Sequence, residues 1–135
     1  GLMGIFGAPL PLADLEGAAV RSALEMIELI ELFNGEPDRA GRPPLAIGIG
    51  IATGNVIAGY TGTQQRATYT CVGDAVNLAA RLEAHTRAVG CPILTDAATR
   101  AALGDRCRAD ALGSATFKGK AEPVEVYSVI CGQKF

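Results

Sequence analysis

From Asp14 onward, apolar residues recur at helical spacing. Leu15, Ala19, Ala23, Ile27, Ile30 and Phe33 make one stripe, with Asp14 ahead of them as an N-cap. The stripe ends before Asn34, Gly35 and Pro37, which predicts an amphipathic helix packed on a sheet. Before it, Gly1 to Gly7 (GLMGIFG) is a short apolar run closed by Pro9 and Pro11, which predicts a buried strand and a turn. Residues 34–44 collect Gly, Pro, Asn and Asp and read as a surface connection. Leu45 to Ala52 and Val56 to Tyr60 are strand-like runs flanking Thr53, Gly54 and Asn55, which predicts a β-hairpin. Gly48 and Gly50 inside the first run mark a bulge or a place where another chain or a ligand comes close.

Arg66 to Val72 is a third strand, after which Gly73 and Asp74 open a helix. Its apolar positions are Ala75, Leu78, Ala79, Leu82 and Val89, and Gly90 closes it. Pro92 to Leu94 is a short strand, and Thr95 or Asp96 caps a small helix ending at Leu103 and Gly104. Ala109 to Phe117 and Val124 to Ile130 are a closing pair of strands. This order predicts an α+β sandwich, with helices on one face of a largely antiparallel sheet.

The 135 residues make one domain's worth of chain, 49% hydrophobic and 19% charged, with no apolar run long enough to cross a membrane. Twelve Lys and Arg against 14 Asp and Glu leave a net charge of -2. That excludes the broad basic field of a nucleic-acid or anionic-lipid binder, so any polyanion bound is small and locally recognised. Cys71, Cys91, Cys107 and Cys131 stand apart, with His85 the single histidine, so they read as reduced core residues of a cytoplasmic protein.

Several motifs fail on spacing. Gly48, Gly50 and Gly54 miss the dinucleotide fingerprint, because the third glycine comes one place late and a strand follows. Lys120 follows Gly119, but Ser114 and Ala121 stand where a phosphate loop needs Gly and Ser or Thr. No nucleophile pattern lies near His85. Asn77 and Arg81, four apart on the predicted helix, share a face and set an amide beside a guanidinium that can carry phosphate charge. Spacing alone equally allows a solvated surface pair, and Asp74 alone reads as an N-cap. Lys118 and Lys120 flank Gly119 in a loop that suits a triphosphate tail or, as plainly, an exposed hairpin end.

Taken together, LAIGIGIATGNVIAGYTG, YTCVGDAVNLAARLEA, ILTDAATRAAL and FKGKAEPVEVYSV, in this order, resemble the bacterial class III adenylate and guanylate cyclases. GLMGIFGAPLP is similar to that family's third strand, and the likeness covers residues 1–130, leaving 131–135 as a tail. The resemblance implies a ferredoxin-like catalytic domain, a homodimer with active sites at the interface, and ATP as substrate. In that chemistry the ribose 3′-hydroxyl attacks the α-phosphate and pyrophosphate leaves, assisted by two Mg2+ or Mn2+ ions on two aspartates. By the same resemblance Asn77 orients the ribose, Arg81 stabilises charge on the α-phosphate, Lys120 with Lys118 holds the terminal phosphates, and Thr70 reads the purine. Thr70 favours adenylate over guanylate cyclase; guanylate cyclase and a non-catalytic dimerisation or sensing module are the alternatives. The family's metal aspartates and base-reading lysine belong ahead of Gly1, so the resemblance implies no metal bound by this chain and no cyclase activity from it alone. It also implies strand exchange or an altered dimer to fill the gap, and no direct membrane contact from this segment.

Overall fold

A computed structural model of the chain describes residues 1–131; residues 132–135, most of the expected tail, lie outside the described residues. The elements run α1 (Leu15–Asn34), β1 (Ile49–Ile51), β2 (Ile57–Thr63), β3 (Arg66–Val72), α2 (Asp74–Val89), β4 (Ile93–Thr95), α3 (Ala97–Leu103), β5 (Ala109–Ala115) and β6 (Val124–Val129).

The helix boundaries follow from local chemistry. Asp14 accepts from the Gly17 N–H at 3.1 Å and starts α1. Gly90 ends α2 in the left-handed conformation (φ 70°), its N–H donating to the Thr86 carbonyl. Asp96 caps α3 by accepting from the Thr99 N–H at 3.0 Å. At the far end of α1, the Asn34 amide both donates to and accepts from the backbone of Leu45, each at 2.8 Å, and so fixes where the chain leaves for β1.

Four strands form one sheet in the order β1-β4-β6-β5, with β1 parallel to β4 and the other neighbours antiparallel. Consecutive strand residues point to opposite faces, so Ile93 and Leu94 of β4 enter different cores. Ile93 packs with Val20, Ala23, Leu24 and Ile27 of α1, Leu103 of α3 and Val129, whereas Leu94 packs with Leu78 and Leu82 of α2 and Val126. The α+β class and mostly antiparallel sheet hold. The helices, expected on one face, are divided between both, because the strands carry apolar residues on each side.

The expected hairpin between the runs 45–52 and 56–60 is a correction. β1 pairs with β4 across α2, and β2 pairs instead with β3 in a separate two-stranded sheet, in register from Ile57 opposite Val72 to Thr63 opposite Arg66. The turn is Gln64 and Gln65, which carry none of the usual turn residues. Residues 1–7 form no strand: among the described residues no strand lies beside them to take their backbone hydrogen bonds, and Leu2 and Met3 are exposed.

Gly50 of β1 and Gly48 just before it lie against the chain's own helix α2. A Cβ on Gly50 would fall on the Ala79 carbonyl and the Glu83 amide of α2, and one on Gly48 on the Thr86 hydroxyl. Gly50→Ala is therefore expected to lower unfolding free energy by about 1–3 kcal/mol, the usual cost of forcing atoms into a filled interface, as measured by denaturant titration.

Asp14 also takes a two-pronged hydrogen bond from Arg106, at 2.6 and 3.1 Å, which ties the start of α1 to the turn after α3. That guanidinium, chiefly through its hydrogen bond, holds the Asp14 carboxyl below the usual aspartate range. A carboxyl depressed in the folded state contributes stability above its unfolded pKa and loses it as pH falls through the folded value. Asp14→Asn, which keeps a capping oxygen, is expected to flatten the acid limb of a melting temperature versus pH curve below the ordinary aspartate pKa.

Candidate active site

The 77–81–85 face of α2 looks toward the connection between β5 and β6. Leu78 and Leu82 of α2 are buried against Leu94 and Val126, so the sheet holds the helix in place, and Phe117 packs on the edge of the same core. Spacing of four then stacks Asn77, Arg81 and His85 one turn apart.

The connection closes as a tight turn. The Lys120 N–H donates to the Phe117 carbonyl at 3.1 Å, and Gly119 sits at φ +86°, as the third position of a type II turn requires. Arg81 Nη2 lies 3.2 Å from the point where a Gly119 side chain would begin. The glycine thus serves both the turn and the guanidinium beneath it. Two turns along α2 from Asn77, the His85 ring meets the Phe117 ring edge-on, with centroids 5.3 Å apart and planes at 88°.

Arg81 and Lys120 are half-buried; Asn77 and Lys118 are exposed. Among the described residues none of the three cations has a carboxylate within ion-pair distance, whereas Arg21 and Arg106 meet Asp14 and Arg108 meets Asp110. A half-buried guanidinium under a turn that carries two lysines, none of them ion-paired among the described residues, is an arrangement that favours a bound anion. The structure therefore brings Arg81 to the lysine turn and sets Asn77 one helical turn away. Thr70 stands apart from them: it lies half-buried on β3 opposite Gly59, in the two-stranded sheet, four residues before α2 begins.

Two aspartates flank α2 and β4. Asp74 is exposed in the first turn of α2, while Asp96 is buried and occupied by α3 and by the Thr53 N–H. Among the described residues no three His, Cys, Asp or Glu side chains gather as metal ligands. The residues present do not fit the two divalent ions that the family resemblance implies. His85 and Phe117 meet beside Arg81 and the lysine turn, and the sequence reading gave neither a role. His85 could have been found by extending the four-residue spacing of Asn77 and Arg81 by one more step.

The four cysteines are free, Cys71 and Cys107 buried and the other two half-buried; burial, ahead of nearby Glu31 and Cys91, pushes the Cys131 thiol up. None of them joins the site.

The family model for the adenylate and guanylate cyclase catalytic domain matches residues 3–130. Adenylate cyclase 1 of Rhizobium meliloti is 35% identical over 122 residues, 89% of this chain and 18% of that protein. The adenylate cyclase of Anabaena cylindrica is 35% identical over 118 residues, 82% of this chain and 24% of that protein. Among solved structures, the adenylyl cyclase CyaB from P. aeruginosa superposes with a TM-score of 0.76 at 28% identity, covering 96% of this chain and 66% of that one. The guanylyl cyclase Cya2 gives 0.76 at 32% identity, covering 93% and 63%. The chain belongs to the class III adenylate and guanylate cyclase catalytic-domain family. It spans about a fifth of the length of these curated relatives.

Proposed function

We propose that this chain is the nucleotide-binding part of an adenylate cyclase that closes ATP to cyclic AMP with release of pyrophosphate. The observation that carries the reading is the meeting of Arg81 with the turn of Lys118 and Lys120, three cations that have no ion pair among the described residues, in a chain of this family.

The roles follow from position and chemistry. The lysines neutralise the terminal phosphates, which become the leaving pyrophosphate. Arg81, fixed by the helix beneath the turn, meets the charge that grows on the α-phosphate as the 3′-oxygen attacks, and a preorganised donor there acts chiefly on the transition state. Asn77, one turn nearer the helix start, is an amide able to donate to and accept from a ribose hydroxyl. The Thr70 hydroxyl faces the purine; because it can donate or accept, it tolerates guanine as well as adenine, which keeps guanylate cyclase as the second reading. Lys118, Lys120, Arg81, Asn77 and Thr70 are each assigned to the nucleotide, and among the described residues no three His, Cys, Asp or Glu side chains gather to hold the family's Mg2+ or Mn2+ ions.

A homodimer is part of the proposal. The β2–β3 ribbon exposes Ile57 at 76% and its cross-strand partner Val72 at 54%, and a two-stranded sheet is marginal in water unless its apolar side is covered. A second copy is the covering partner that the family reading supplies, with the site at the boundary. Reduced cysteines and an ATP substrate suit the cytoplasm, and among the described residues no helix is long and apolar enough to cross a membrane.

In the complete protein that carries this domain, Arg81→Ala is expected to lower kcat for cyclic AMP formation by about 100- to 1000-fold, the range for losing one oxyanion donor. Unchanged turnover would refute its role at the α-phosphate. Thr70→Asp is expected to raise the ATP over GTP ratio of kcat/KM by about tenfold, the worth of one hydrogen bond to a charged group, measured by assaying both nucleotides. A ratio that stays level or moves toward GTP removes Thr70 from base reading.

A further inference from the structure

The site contains two rings that nothing above employs. His85 is half-buried on the same face of α2 as Asn77 and Arg81, and Phe117 is the first residue of the turn that carries both lysines. Their edge-to-face contact, at 5.3 Å and 88°, joins the helix to the turn at one end, while the bare Cα of Gly119 lets the turn settle against Arg81 at the other. Lys118 and Lys120 have no ion pair among the described residues. Among the described residues the turn is therefore held to α2 by the ring pair and by the close seat of Gly119 on Arg81, with no ion pair between them.

We propose that His85 and Phe117 form an aromatic latch that holds the lysine turn against α2, making them positioning residues for triphosphate binding. The inference rests on reading that turn as the phosphate site. The latch supplies a non-ionic contact that keeps the turn seated on the helix before any anion arrives. It works through preorganisation: the turn has less freedom to lose when phosphate binds. Its effect falls on binding shared by substrate and product, hence on KM and pyrophosphate inhibition, and not on the charge that Arg81 meets only in the transition state.

The test uses the complete protein, with ATP turnover and the binding of inorganic pyrophosphate measured separately. His85→Ala and Phe117→Ala are each expected to raise KM for ATP and weaken pyrophosphate binding together by about 3- to 10-fold, the worth of an edge-to-face ring pair, with a much smaller change in kcat. The double variant is expected to be no worse than the more affected single one, because both remove one contact. His85→Phe, which restores an aromatic edge without imidazole chemistry, is expected to recover both constants. Wild-type pyrophosphate affinity in the alanine variants, additive losses in the double variant, or failure of His85→Phe to recover affinity while its melting temperature matches the unmutated protein would each overturn the latch. If the unmutated protein binds pyrophosphate but makes no cyclic nucleotide, the cyclase reading fails and the latch is still judged by the binding of the variants. If it does not bind pyrophosphate, the latch falls with the phosphate site.

Discussion

Helix α2 can lie close to β1 only because Gly48 and Gly50 leave that side of the strand bare, and the placement of the site depends on this contact. Any side chain at position 50 would occupy the space of the Ala79 carbonyl and the Glu83 amide, so the helix would have to lift or rotate. With α2 seated, Leu78 and Leu82 reach the core beside Leu94 and Val126, and half-buried Arg81 flanks them on the helix surface. Because β6 lies next to β4, the turn leading into β6 arrives over that same stretch of helix. The guanidinium and the lysines come from distant parts of the chain, and the sheet order joins them.

What could be read from the sequence divides along the range of the interaction. Asp14, Gly90 and Asp96 act on backbone groups a few residues away, so the helix ends they set were legible. Strand pairing is not local. Thr53, Gly54 and Asn55 carry turn chemistry yet join strands of two different sheets, while Gln64 and Gln65 carry none and form the hairpin. Gly48 and Gly50 signalled a close approach correctly, but residue type could not say that the approaching backbone was the chain's own helix. The division of helices between two faces became visible only when Ile93 and Leu94 were seen to enter different cores.

The site was legible in a similar, partial way. Helical spacing put Asn77 beside Arg81, but the same spacing fits an ordinary solvated face. Family likeness decided the reading, and Gly119 lying against the guanidinium gives it a physical basis. The meeting of His85 with Phe117 joins a helix to a loop across the sheet order, and no periodicity along the chain encodes it. Thr70 is the residue the structure leaves most separate, on a ribbon tied to the body chiefly by the short path from β3 into α2.

Under the proposed function the nucleotide is also part of the protein's stability. A ligand that binds the folded chain and not the unfolded one shifts the folding equilibrium by mass action. On that reading the domain would be coupled to the cell's energy supply, held folded where triphosphate is plentiful and more open to proteolysis where it is scarce.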